Sequence, residues 1–205
     1  MSTKEFKNMT DKLVSELQSA YMHFEIYKDI KMQISEHSKE MNKSKHFWSL
    51  TINAHLESAR STLGRIYDQN EKNLGIKSWL LEFKKNHLQQ EFFEASEQDK
   101  FNRTPLKNGE IKNDLKSISP EDEKVNILYK RHRHTEIAHM SLSNAKKGIS
   151  YFKDYPLPSS DIQELIDRAA AIINKYSSHY NGVNYAMTTF DSQDYKYIFD
   201  RLSKP

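Results

Sequence analysis

The chain contains no cysteine among its 205 residues, which excludes disulfide bonds, thiolate metal sites and cysteine nucleophiles. It has only five glycines and five prolines, so long helices can run with few interruptions. No apolar run approaches the length needed to span a bilayer. The N-terminal stretch Met1–Glu5 lacks the apolar core of a secretion signal. These absences predict a cytoplasmic protein with no membrane segment.

Apolar residues recur at steps of three and four along most of the chain, which is the spacing of amphipathic helices. The segment 101–119 is polar and holds Pro105 and Gly109, so it is predicted to be a loop. After it, Ser119 is placed to cap a helix whose first residue is Pro120. The pattern predicts the other helices over about 3–40, 45–67, 76–92, 160–181 and 191–202.

We find no internal repeat and no strand pattern in the sequence. It therefore predicts an all-α fold, a helical bundle of five to six helices. Residues 1–205 are expected to form a single domain, with 182–205 as a C-terminal extension.

The net charge of +3 is too small to argue for a nucleic-acid partner, but the charge is unevenly distributed. From Lys124 to Lys153 the only carboxylate is Glu136. The same window holds three histidines and seven cations, at positions 124, 130, 131, 133, 146, 147 and 153. Such a patch attracts phosphates whatever the charge of the whole chain, although a solvated helix face would have the same composition.

Within this window, Arg133, His134 and His139 are the candidate catalytic residues. Arginine offers a permanent cation with forked donors for phosphate oxygens, and histidine exchanges protons near neutral pH. Six residues of ideal helix turn about 600°, which separates Arg133 from His139 around the axis. The two side chains converge only if the helix ends or bends between them, or if a two-fold dimer combines two copies of the run.

Two other interpretations use the same residues. His132, Glu136 and His139 lie on one helical stripe and would suit a metal, but known zinc helices place two histidines four residues apart. We therefore predict no metal and no cofactor. Alternatively, His139 caps a helix C-terminus, while Arg131 and Arg133 pair with acids on neighbouring helices.

The run resembles the signature of the HEPN superfamily: an arginine, a polar residue, and a histidine four to six residues after the arginine. Its ending, Glu136-Ile137-Ala138-His139, is similar to the Arg-Ile-Ala-His ending of the AbiU-type abortive-infection branch. Upstream, Phe47–Leu50 and Ala59–Asp68 resemble that branch's second helix, and Ile76–Leu81 falls where its members begin another. Glu136 departs from the pattern, because many members carry a basic residue there.

The resemblance implies a helical bundle that dimerises and cleaves RNA without a metal, in a toxin or antiphage system. His139 would serve as general base or acid, Arg133 would hold the phosphate, and His134 would orient it. Lys130, Arg131 and His132 would add contacts to RNA. The implied partners are RNA, a second copy of the chain and an antitoxin protein.

Two alternatives remain open at this stage. One is a non-catalytic HEPN-like module that binds RNA, a nucleotide or a protein. The other is a structural protein whose first helix packs along residues 6–34 on a partner helix. The remaining histidines are interpreted as surface or packing residues, at positions 23, 37, 46, 55, 87 and 179.

Overall fold

The computed structural model describes residues 1–87, 106–129, 142–148, 153, 155–188 and 194–202. Every regular element within these residues is a helix, which confirms the predicted all-α fold. The helices are α1 (Thr3–Glu36), α2 (Ser38–Lys43), α3 (Lys45–Ile66), α4 (Ile76–Asn86), α5 (Glu110–Ser117), α6 (Glu123–Asn126), α7 (Leu142–Lys147), α8 (Ser159–Asn181) and α9 (Lys196–Leu202).

Helix α1 begins at a reciprocal cap. The Ser2 hydroxyl accepts the Glu5 amide at 3.3 Å, and the Glu5 carboxylate accepts the Ser2 amide at 2.7 Å, so two N-terminal donors are satisfied. The helix ends at Glu36, earlier than the predicted boundary near residue 40. At His37 the backbone leaves the helical region, with φ −114° and ψ 31°, and the chain turns through α2 into α3.

Helices α1 and α3 pack antiparallel. Glu16 binds Arg65 at 2.7 Å, and farther along α1 the His23 ring contacts His55, so positions rise on one helix as they fall on the other. The apolar stripe of α1 faces α3, α4 and α8, and its Phe6, Leu17 and Phe24 are fully buried. From Phe6 to Ile30 the stripe is therefore covered within the chain, which contradicts the hypothesis that this part docks on a partner helix, whereas Ile34 at its end is exposed.

An aromatic cluster fills the core where the start of α1 meets α4 and α8. The Phe6 ring stacks on Trp79 at 5.4 Å and meets Tyr180 edge-on at 4.9 Å. Phe83 meets Tyr176 at 4.9 Å. Tyr176 and Tyr180 are therefore packing residues whose rings are buried in the core.

Two glycines mark boundaries that the sequence predicts. Gly75 precedes α4 where a Cβ would lie 3.0 Å from the carbonyl oxygen of Ile66, so a side chain would push the loop away from α3. Gly182 ends α8 in the left-handed region, with φ 73°, a conformation that costs glycine little.

The predicted loop over 101–119 is wrong for Glu110–Ser117, which form α5. Tertiary contacts explain the helix, since its sequence has little apolar content of its own. Asp114 on α5 accepts the Tyr176 hydroxyl at 2.7 Å and the Lys175 ammonium at 2.8 Å. These bonds fix α5 on α8, and Ile118 just beyond it is fully buried.

The helix that follows is shifted relative to the prediction that Ser119 caps it. Asp122 is the cap, and its carboxylate accepts the Val125 amide at 3.1 Å. The Ser119 hydroxyl instead donates to the carbonyl of Lys116 at 2.8 Å, where it closes α5. Helix α6 therefore begins at Glu123.

Candidate functional site

All six residues predicted for the site lie in 130–141, outside the described residues. They are Lys130, Arg131, His132, Arg133, His134 and His139. The structure describes the chain up to Tyr129 and again from Leu142. It therefore shows the surroundings of both flanks of the run.

The flank that leads into the run is held by core packing. Val125 and Leu128 are fully buried and belong to the same apolar cluster as Leu165 of α8 and Tyr67 after α3. The buried Tyr67 hydroxyl donates to the carbonyl of Leu165 at 2.7 Å. Burial of two large aliphatic side chains contributes about 3–6 kcal/mol before entropy is counted, enough to fix this flank on the bundle.

Ion pairs with α8 hold the same flank from outside. Lys124 pairs with Asp161 at 3.2 Å and with Glu164. Arg168 pairs with Asp122 at 3.0 Å and with Glu164 at 2.6 Å. Hydrogen bonds from Lys124, then Arg168, lower the pKa of Glu164. Lys124, one of the seven cations in the basic window, is therefore engaged by two carboxylates rather than offered to phosphate.

A buried carboxylate in the loop between α3 and α4 contacts the residue that directly precedes the run. Asp68 is only 2 % exposed and accepts the Asn70 amide at 2.9 Å, the Asn73 side-chain amide at 2.8 Å and the Tyr129 hydroxyl at 3.3 Å. Tyr129 is the residue before Lys130. The loop between α3 and α4 therefore fixes the point from which the basic run departs.

The other flank is cationic and open to solvent. Lys146 and Lys147 in the last turn of α7 are exposed, and so is Lys153. Three of the seven cations of the window are thus accessible to a phosphate-bearing partner, in contrast to Lys124.

The metal interpretation through His132, Glu136 and His139 falls outside the described residues. Among the residues that are described, no three His, Asp or Glu side chains lie close enough to hold a metal ion.

The structure brings together two histidines that sequence reasoning left as separate surface or packing residues. The Nδ1 atoms of His23 on α1 and His55 on α3 are 2.9 Å apart, with ring centroids at 5.1 Å. Burial lowers the pKa of both imidazoles, and the charge of His23 lowers that of His55 further. One sequence signal was available: each residue lies 16 positions from residue 39, in the corner between α1 and α3, and antiparallel helices pair such positions.

None of the described helices is both long and apolar enough to cross a membrane. A family model described as AbiU2, of the HEPN group, matches residues 3–199 of the chain, a span that includes the basic run. No curated protein and no solved structure matches the chain.

Proposed function

The chain belongs to the AbiU2 family of HEPN proteins, an abortive-infection-related group, and on that premise we propose that it is a metal-independent endoribonuclease. The observation that carries the proposal is the Arg133–His139 run, which the family match spans. The substrate is RNA in the cytoplasm. An antitoxin protein is the expected regulator, as suits a toxin or antiphage system.

The proposed reaction is attack by a ribose 2′-oxygen on the adjacent phosphorus. The bond from phosphorus to the 5′-oxygen breaks, leaving a 2′,3′-cyclic phosphate and a 5′-hydroxyl. One His139 imidazole takes the proton of the 2′-hydroxyl, and a second, protonated imidazole gives a proton to the departing 5′-oxygen. Arg133 neutralises the charge that develops on the phosphate, and His134 orients it.

A second copy of the chain supplies the second imidazole. On an ideal helix Arg133 and His139 point in different directions, so a site from one copy would be incomplete. A two-fold axis beside the run brings two arginines and two histidines to one cleft. Lys130, Arg131 and His132, with the exposed Lys146 and Lys147, would then bind the RNA backbone on either side.

The flank that leads into the run supports a fixed site. Asp68 and the core residues around Leu128 hold the chain up to Tyr129, only four residues before Arg133. Catalytic groups act well only when their geometry is set by rigid supporting elements.

The test is cleavage of a single-stranded RNA in EDTA, with analysis of the new ends. Wild-type protein is expected to leave 2′,3′-cyclic phosphate and 5′-hydroxyl ends. His139→Ala and Arg133→Ala should each lower the rate by at least about 10²-fold without changing the thermal midpoint. His46→Ala is the matched control, because His46 is exposed on α3, and it should cleave normally. Full activity in His139→Ala would refute the assignment.

A non-catalytic binding module is the second candidate, and Glu136 favours it. This carboxylate stands where the resemblance expects a cation, and it reduces the local positive charge. A binding module would leave incubated RNA whole, yet bind it with an affinity that falls steeply as salt rises. Arg131→Ala and Lys130→Ala would then weaken binding and reduce its salt dependence.

A further inference from the structure

The contact between His23 and His55 joins the two helices that pack most extensively against each other, α1 and α3. Both imidazoles are only partly buried. Their Nδ1 atoms lie 2.9 Å apart, and neither residue belongs to the basic run proposed for RNA cleavage. The pair therefore calls for an explanation of its own.

At 2.9 Å the two nitrogens are within hydrogen-bond distance, with one ring donating and the other accepting. The separation also suits two ligands of one metal ion. With metal–nitrogen bonds of about 2.05 Å, ligands at 90° place their nitrogens about 2.9 Å apart, and tetrahedral ligands about 3.3 Å apart. The spacing thus matches neighbouring positions of a square-planar or octahedral ion, the geometries of Cu²⁺ and Ni²⁺.

The two rings can both offer Nδ1 to an ion while staying neutral. A histidine binds a metal through a ring nitrogen that carries no proton. In the direct hydrogen bond one ring carries its proton on Nδ1 and the other on Nε2. When an ion binds both Nδ1 atoms, the donor ring's proton moves through solvent to its own Nε2.

An ion can also reach the pair from solvent. His23 lines an open groove of about 460 Å³ with Glu57 on α3. His55 lines a second groove, of about 480 Å³, with Asp194. Arg65 also lines the groove of His23, so Glu57 adds no net negative charge there. Each groove serves as an open path from solvent to one of the two imidazoles. Since no third ligand lies close among the described residues, water would fill the remaining positions.

We propose that His23 and His55 form a two-histidine site for a divalent late first-row ion, Ni²⁺ or Cu²⁺, which clamps α1 to α3. The ion's role is structural, because both ligands lie outside the run proposed for RNA cleavage. The inference is independent of the proposed nuclease activity, which is tested in EDTA.

The experiment measures the thermal midpoint of the full chain in EDTA, in Mg²⁺ and in Ni²⁺. At about a hundredfold excess over the dissociation constant, Ni²⁺ should raise the midpoint of the wild type by about 5–10 °C, and Mg²⁺ should not. The double variant His23→Gln/His55→Gln should lose the shift. The matched double variant His46→Gln/His87→Gln should keep it, and all three proteins retain the histidines of the basic run.

A second measurement needs no variant. One equivalent of Cu²⁺ should give the wild type an electron paramagnetic resonance spectrum with two coordinated nitrogens, and should broaden the amide resonances of α1 and α3 around residues 23 and 55. An equal Ni²⁺ shift in the His23→Gln/His55→Gln variant would overturn the proposal. So would broadening confined to other parts of the chain, and the contact would then be a hydrogen bond alone.

Discussion

The two tryptophans lie at opposite ends of the bundle, and the two ends differ in how well their buried polar groups are hydrogen-bonded. Trp79 is fully buried, stacks on Phe6, and donates its indole N–H to the hydroxyl of Thr10 at 2.9 Å. Trp48 is 3 % exposed and stacks on Phe199 at 4.9 Å. Its indole N–H has no hydrogen-bond partner in the described part of the chain.

The packing around the two tryptophans differs as well, and it is looser around Trp48. Trp79 belongs to the main core, whereas Trp48 lies in a small cluster with Ile30, Met41 and Phe199. Grooves of about 360 and 480 Å³ flank Trp48. Burial raises the pKa of the nearby Tyr195 to about 12, so its hydroxyl stays protonated at neutral pH. That hydroxyl, like the Trp48 N–H, has no partner among the described residues.

A buried donor without a partner costs about 1–3 kcal/mol, and the described residues supply none to the Trp48 N–H, so the end around Trp48 contributes less to stability than its aromatic content suggests. The end around Trp79 combines apolar burial with satisfied polar groups. The difference teaches that equal burial of two similar side chains does not imply equal stabilisation.

The largest expected effect is that of Trp79→Ala. Removing the ring leaves a cavity among Phe6, Phe83 and Tyr176, and we expect a loss of about 3–5 kcal/mol in the free energy of unfolding. Urea unfolding followed by circular dichroism measures it. Trp48→Ala is the comparison, and it should cost clearly less, because the grooves beside Trp48 already reduce its packing. Equal losses would show that the two ends are alike.

Thr10→Val tests the hydrogen bond that distinguishes the ends. The change keeps the shape of the side chain but leaves the Trp79 N–H buried without an acceptor, so we expect a loss of about 1–3 kcal/mol in urea unfolding. Thr51→Val is a matched control. Both threonines donate to the carbonyl four residues earlier, at 2.9 Å, but only Thr10 also accepts an indole. A loss as large in Thr51→Val would remove the role assigned to that acceptor.

Trp→Phe substitutions compare the two indoles directly. Trp79→Phe removes a paired N–H and leaves the Thr10 oxygen without its donor, whereas Trp48→Phe removes an N–H that has no partner among the described residues. We therefore expect Trp48→Phe to be better tolerated by about 1 kcal/mol, measured as the difference between the two urea midpoints multiplied by a common slope. If Trp48→Phe is the more costly change, its indole must be paired when the protein is in solution.

Sequence periodicity could predict the parts of the fold in which one face is buried along a whole helix. The apolar stripe of α8 from Ile162 to Tyr180 is buried, and so are most of the stripe positions of α1 from Phe6 to Ile30, since burial itself imposes the period. Ile34, the last residue of the predicted α1 stripe, is 44 % exposed. Helix α5 escaped prediction because Asp114 is held by Tyr176, which is 62 positions away. Ser119 and Asp122 are both good caps, and local sequence alone cannot decide between them.

The candidate site likewise has residues that a local motif predicts and residues whose contacts depend on tertiary packing. A local motif is enough to predict Arg133, His134 and His139 as candidates, and they stay predictions because the described residues stop at Tyr129 before the run. Lys124 was counted with the cations of the patch, yet acids on α8 engage it. His23 and His55 escaped prediction because their contact depends on the antiparallel packing of α1 and α3, which spacing along one helix does not reveal.

The smallest expected effect is that of Glu164→Gln, which tests how much surface ion pairs add to the free energy of unfolding. Glu164→Gln weakens the pairs with Lys124 and Arg168, and solvent screening should limit the loss to below about 1 kcal/mol at pH 7. Because these partners lower the folded-state pKa of Glu164, its contribution is present above its unfolded pKa and is lost as pH falls through the folded value. Urea unfolding at pH 7 and near pH 3 should therefore show a gap between wild type and variant that narrows in acid. If the difference in the free energy of unfolding between wild type and variant instead grew in acid, Glu164 would stabilise the fold in its protonated form. Its ion pairs with Lys124 and Arg168 would then not be what holds the flank of the basic run.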